Sequence, residues 1–255
     1  MGKAFDLSGK VAIVTGGNGG IGLGMATGLA QAGAALLIAG RNAAKNAAAV
    51  KALDALGAKA AAVEADLTAQ SDCQGIVAAA LARYGRLDVL VNNAGTNIRK
   101  QPQEYTLDEW KSVLDTNLTS AFLCSQAAYP AMLTAGGGKI INIGSMLSIF
   151  GAAFAGPYGA SKGGMVQLTK SLACAWAKDN IQVNAVLPGW IDTDLTRRAR
   201  QDVPGLHERV LARTPAGRWG EPGDFAGIAV FLASSAADFV TGAAIAVDGG
   251  YSSQG

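Results

Sequence analysis

The chain has 255 residues, half of them hydrophobic and 16% charged, a composition far from the charge-rich, aliphatic-poor make-up of a disordered chain. Lys and Arg number 21 against 19 Asp and Glu, a formal charge of +2, and no basic run could neutralise a row of phosphates, which argues against a nucleic-acid partner. No stretch of about eighteen apolar residues runs free of charges or clustered glycines, so no membrane span is expected.

Lys3, Asp6 and Lys10 interrupt the N-terminal apolar residues where a signal peptide needs a hydrophobic core, so a cytoplasmic protein is expected. Short aliphatic or β-branched runs then alternate with helical stretches, the pattern of repeated βαβ units. Strands are expected at residues 10–15, 35–39, 59–64, 88–92, 139–144, 182–187 and 243–247, with helices starting near Ile21, Ala43, Ser71, Leu107, Tyr158 and Asp224. This predicts one α/β domain over 1–255, a Rossmann-type doubly wound parallel sheet of about seven strands with helices on both faces. The Ala-rich stretch at 43–65 marks its boundaries weakly. Residues 189–219, with Pro204, Pro215 and several arginines, break the alternation and read as an irregular excursion that would cover a substrate. Cys73, Cys124 and Cys174 are an odd number at wide spacing and read as reduced core thiols.

The first strand runs directly into Thr15-Gly16-Gly17-Asn18-Gly19-Gly20-Ile21-Gly22 and then a helix. Glycines there let backbone N–H groups approach a pyrophosphate, whose charge is stabilised at the helix N-terminus. Gly17, Gly19 and Gly22 satisfy G-x-G-x-x-G, while Gly16, Gly20 and Gly22 satisfy T-G-x-x-x-G-x-G. The second strand ends in Ala39-Gly40-Arg41-Asn42. No carboxylate stands there to repel a 2′-phosphate and Arg41 could pair with one, so NADP is expected over NAD, with NAD still possible. The alternative for Arg41 is a solvated surface residue. Asp66-Leu67 and Asn92-Asn93-Ala94-Gly95 lie at the next two strand ends, where ligands of open α/β sheets bind.

Beyond the fifth strand stand Ser145 and, thirteen residues on, Tyr158-Gly159-Ala160-Ser161-Lys162. Residues four apart share a helix face, so Lys162 is expected beside the Tyr158 phenol, favouring its ionised form. A phenol titrating near pH ~10 needs such lowering to take an alcohol proton at neutral pH. Ser145 would hydrogen-bond the reacting oxygen.

The glycine loop, Asn92 to Gly95, Asn117, Ser145, Tyr158, Lys162 and Pro188-Gly189 together resemble the short-chain dehydrogenase/reductase family in order and spacing over nearly the whole chain. The resemblance implies hydride transfer between a nicotinamide cofactor and a secondary alcohol or ketone. It selects the register of Gly16, Gly20 and Gly22, with Asn18 and Ile21 beside the cofactor. It implies that Asp66 holds the adenine and that Asn93, Ala94 and Gly95 support the cofactor. Asn117 would link Lys162 to solvent, while Pro188, Gly189, Ile191 and Thr193 would meet the nicotinamide end. It also implies a homotetramer built from the helices around 107–133 and 158–178.

Residues 93–100 and 214–220 resemble their counterparts in gluconate 5-dehydrogenases and 2-deoxy-gluconate 3-dehydrogenases. A sugar acid, sugar or polyol is therefore the expected small-molecule substrate, with Arg99 or Lys100 meeting a carboxylate and Trp190 beside it. The alternative is a 3-oxoacyl carrier-protein reductase using Arg197, Arg198 and Arg200 as a basic surface; a more remote one is a non-catalytic dinucleotide sensor. His207 is the single histidine and reads as a surface loop residue, so a zinc site is not expected. Gly144-Ser145-Met146-Leu147-Ser148 is not G-x-S-x-G, which argues against a serine hydrolase.

Overall fold

A computed structural model describes residues 3–254, leaving residues 1, 2 and 255 of the expected domain outside. All seven strands form, as β1 (Val11–Thr15), β2 (Ala35–Gly40), β3 (Ala60–Glu64), β4 (Val89–Asn92), β5 (Gly138–Ile143), β6 (Ile181–Pro188) and β7 (Ala244–Val247), with ends at most one residue from expectation. They pair in parallel, in the order β3-β2-β1-β4-β5-β6-β7.

Alternation along β1 shows why the strands form. Ala12 and Val14 face one side with Leu36, Ile38, Val91 and Ile141, whereas Ile13 faces the other with Leu37, Leu90 and Ile140. The first side is covered by α1 (Gly20–Gln31), through Met25 and Leu29, and by α9 (Ala226–Ala233). The second is covered by α3 (Gln70–Tyr84), α5 (Ser120–Thr134) and α6 (Gly156–Trp176). With both faces dry, the central strands read as continuous apolar runs. A Cβ at Gly24 or Gly28 would run into the backbone of Pro222 or Ala226, so glycine is what lets α1 lie against the start of α9.

From β1 the chain winds outward to β2, through α2 (Ala43–Asp54) to β3, and returns to β4 on the other side of β1. The C-terminal ends of β1 and β4 therefore part around a crevice, the place where open α/β sheets bind ligands.

The structure differs from expectation in four places. Residues 189–219 are not merely irregular. They hold α7 (Asp194–Asp202) and α8 (Leu206–Arg213), which share a small core of Ala199, Leu206, Val210 and Trp219 with Trp190 packed against it. His207 lies within α8, stacks on Trp219 and accepts a 3.1 Å hydrogen bond from its Nε1. Between α4 (Leu107–Leu114) and α5 the helix widens into a π-turn at Asp115–Thr119. Cys73 and Cys124 are buried, but Cys174 is exposed. Among the described residues, no helix is long and apolar enough to cross a membrane.

Candidate active site

A cleft of about 430 Å³ runs along the C-terminal edge of the sheet, from the glycine loop to the start of α6. Gly16 and Gly20 both take left-handed backbone, with φ of +60° and +50°, a conformation that favours glycine. A side chain at Gly16 would also press on Asn93 and Ala94. These two positions are those of the T-G-x-x-x-G-x-G register. Gly22 sits behind the loop, where a Cβ would strike Asn93 and the Gly16 carbonyl, so it serves packing and does not line the cleft. No side chain caps the start of α1 at Gly19. The first amides of that helix therefore remain available to an anion.

Thr15 and Asn93 fasten this loop to the end of β4. Thr15 Oγ1 accepts from the Asn93 and Ala94 amides at 2.9 and 3.1 Å, and Asn93 Nδ2 donates to the carbonyls of Thr15 and Gly16, both at 3.0 Å. Asn18 donates to Asn46 (2.7 Å), which in turn donates to the Gly40 carbonyl (2.8 Å), joining the loop to the end of β2. The sequence reading missed Asn46; its one signal was a polar residue on the sheet-facing side of a helix.

At the far end of the cleft, Arg41, Asn42 and Asp66 line the wall with Leu67. Asn42 caps α2, accepting from the Lys45 amide at 2.8 Å. Asp66 is not a helix cap, because α3 begins later; its carboxylate accepts from the amide and hydroxyl of Thr68, which hold its pKa below the usual range. Arg41 is exposed and in no ion pair among the described residues. Lys45, also missed, lines the same wall four residues on and meets Asp194 of α7 at 3.0 Å.

At the near end Ser145, Tyr158 and Lys162 share the wall with Pro188, Gly189, Ile191 and Thr193. Burial of the Tyr158 phenol raises its pKa above the ordinary value; a hydrogen bond with Ser145 and the charge of Arg99 oppose this. The expected pairing with Lys162 is different in detail. Lys162 Nζ lies 5.7 Å from the Tyr158 ring centre and donates to the Ile143 carbonyl at 2.6 Å. Burial lowers its pKa to about 8. Arg99 is thus a second cation whose charge reaches the phenol, beside Lys162 over its ring.

Asn117 stands in the π-turn, fully buried behind the cleft. Its Oδ1 accepts from the Thr96 amide at 2.7 Å, and its Nδ2 donates to the Thr96 carbonyl and to Ser161 Oγ at 2.9 and 3.0 Å. The side chain thus ties the turn after β4 to α6 with both Nδ2 donors engaged, and one lone pair of Oδ1 remains open; π-turns recur at such sites.

Arg99 lies against α7, its side chain 11% exposed and 3.5 Å from Asp202. Of the five hydrogen bonds a guanidinium can donate, it makes one among the described residues, to the Leu195 carbonyl. Lys100 is taken up by Glu109. Trp190 does not line the cleft; its ring meets Trp219 edge-on at 5.7 Å, within the core of the α7–α8 segment. Arg218 pairs with both oxygens of Asp224.

The sequence profile of the family described as enoyl-(acyl carrier protein) reductase matches residues 16–252. The chain is 45% identical to 2-dehydro-3-deoxy-D-gluconate 5-dehydrogenase of Escherichia coli (strain K12), over 98% of each chain. A gluconate 5-dehydrogenase from Burkholderia cenocepacia J2315, solved in complex with NADP and tartrate, superposes with a TM-score of 0.93 at 39% identity, covering 99% of each chain. A short-chain type dehydrogenase/reductase from Mycobacterium marinum superposes with a TM-score of 0.93 at 35% identity over 98% of each chain. On the glycine loop, the parallel sheet and this likeness over the full length, the chain belongs to the short-chain dehydrogenase/reductase family, oxidoreductases of CH–OH groups that use NAD(P).

Proposed function

We propose that the protein transfers a hydride between a nicotinamide cofactor, NADP in preference to NAD, and a secondary alcohol or ketone of a sugar acid. The observation that carries the acid is Arg99: nearly dry, its charge acting on Tyr158, with most of its donors free among the described residues. A carboxylate is the natural partner for such a planar fork. Relatives that act on gluconate-type acids, and one solved with tartrate, support the same reading.

The residues present fit a dinucleotide. Gly16, Gly20 and the uncapped start of α1 leave room and donors for a pyrophosphate. Arg41 and Asn42 would take the adenosine end, joined by Lys45, while Asp66 and Leu67 would border the adenine. The place that many NADP-preferring relatives give to a basic residue is Gly19 here, and a Cβ there would meet nothing. Lys45, on the same wall as Arg41, supports a 2′-phosphate there. Ile191 and Thr193 would border the nicotinamide, which supplies the hydride site when bound.

Ser145 would hold the substrate oxygen beside Tyr158. Tyr158 passes a proton to it during reduction and removes one during oxidation. Lys162 spends one N–H on Ile143 and would offer the others to the ribose. The α7–α8 segment would cover the substrate.

The carrier-protein alternative needs a basic surface that the structure does not provide. Arg197 and Arg200 both pair with Asp192, and Arg198 lies 3.8 Å from Asp202. We place the protein in the cytoplasm, which its three free thiols suit. A homotetramer is supported by Leu107, Trp110, Phe122 and Leu133, exposed apolar residues of α4 and α5 that another copy would cover.

Arg99→Ala tests the acid. The ratio of kcat/KM for aldonic acids to that for neutral polyols is expected to fall roughly ten- to a hundredfold, the effect of losing a charge-assisted contact. An unchanged ratio would contradict the reading.

A further inference from the structure

Asp202 is the only carboxylate within ion-pair distance of Arg99 among the described residues, and its placement is unusual. It is the last residue of α7, where the helix's own carbonyls repel a negative charge. Its contact with Arg99, Oδ2 to Nη1 at 3.5 Å, is ionic without being a hydrogen bond. The two partners differ in solvation, the Asp202 side chain being 40% exposed and that of Arg99 11%. Arg198, one turn back on the same helix, lies 3.8 Å away on the solvent side, with its own side chain 79% exposed. Asp202 therefore has a second cation, and water, to turn to. Arg99 has no second carboxylate among the described residues.

We propose that Asp202 occupies the seat on Arg99 that an acidic substrate takes, and that it yields the seat by turning to Arg198, making it a specificity-determining residue of the covering segment. The proposal rests on the reading of Arg99 given above.

Two carboxylates on one largely buried guanidinium repel each other, so the arriving acid and the resident one exclude each other. With the exchange complete, Arg99 is neutralised as before and Asp202 is paired in water. The seat is thus built for one carboxylate at a time. A neutral polyol offers nothing to exchange and leaves Asp202 in place. Arg99 Nη2 also donates to the carbonyl of Leu195, at the other end of α7, at 3.3 Å. Exchange of Asp202 consequently frees one of the two ties between Arg99 and the helix over the cleft.

Asp202→Asn keeps the shape and removes the competing charge. KM for an aldonic acid is expected to fall about three- to fivefold, the scale of one partly exposed ion pair, with kcat and the KM of a neutral polyol unchanged. Asp202→Ala should show the same split, and in Arg99→Ala/Asp202→Asn the fall should vanish. If Asp202 merely props the segment, KM for acids and polyols rises together in both variants, and the proposal is overturned. If Arg99→Ala alone changes acid selectivity while Asp202→Asn leaves acid KM where it was, the exchange fails and the reading of Arg99 stands. If Arg99→Ala changes nothing, both fall together.

Discussion

Tyr158→Phe is expected to lower kcat/KM in both directions roughly 10²- to 10⁴-fold, the usual contribution of a positioned proton donor, while dinucleotide affinity and fold are kept. Only one oxygen leaves the structure, and the ring still fills its place at the start of α6. The direction of the phenol's shift sets the pH dependence. Burial raises its pKa above 10.0 in the free protein, against the pull of Ser145 and Arg99. At neutral pH Tyr158 is therefore a neutral phenol, ready to donate to a ketone. Reduction should hold steady through neutral pH and decline as the phenol ionises, whereas oxidation should climb with pH. A Tyr158→Phe enzyme retaining more than a tenth of its activity would remove this residue from the chemistry.

Lys162→Met is expected to lower turnover about 10²- to 10³-fold, as removal of a fixed donor at a reacting site does, and yet to stabilise the fold at neutral pH. Burial alone takes the ammonium from 10.5 in the unfolded chain to about 8. Because the folded pKa is the lower one, keeping the charge costs folding free energy below pH 8, and that cost is relieved as pH rises from 8 towards 10.5. The shift corresponds to roughly 2 to 4 kcal/mol. The variant forfeits the bond to the Ile143 carbonyl, worth about 1 kcal/mol. A net gain of about 1 to 3 kcal/mol remains, a Tm rise of roughly 2 to 12 °C. Thermal melts of both proteins at pH 7 and pH 10 check it. The gain should shrink at the higher pH; a gain independent of pH would mean that packing, and not the buried charge, is responsible.

What was legible in the sequence is what local pattern encodes. Seven β-branched or aliphatic runs form strands whose ends fall where expected; β1, β2, β4, β5 and β6 are largely buried on both faces, while β3 and β7 edge the sheet and are partly exposed. The glycine register was legible through resemblance, and the structure supplies its cause in the left-handed backbone of Gly16 and Gly20. The rest depends on pairings distant in the chain. α7 buries only Ala199, so it carries no apolar stripe; its core is completed by Trp190 and Trp219 from outside the helix. Spacing alone put Lys162 beside the phenol, but the side chain turns to a strand carbonyl nineteen residues back. Arg197, Arg198 and Arg200 read as a basic patch because Asp192 and Asp202, their partners, look like ordinary loop acids in sequence.

The central claim is a hydride transfer on sugar acids with NADP. Initial rates with NADP and with NAD, over a panel of aldonic acids, the corresponding sugars and polyols, and oxoacyl thioesters, test it most directly. Highest kcat/KM on an aldonic acid or its keto form, with NADP ahead of NAD, is the predicted result. Turnover confined to oxoacyl thioesters, or dinucleotide binding with no turnover on any member of the panel, would contradict it.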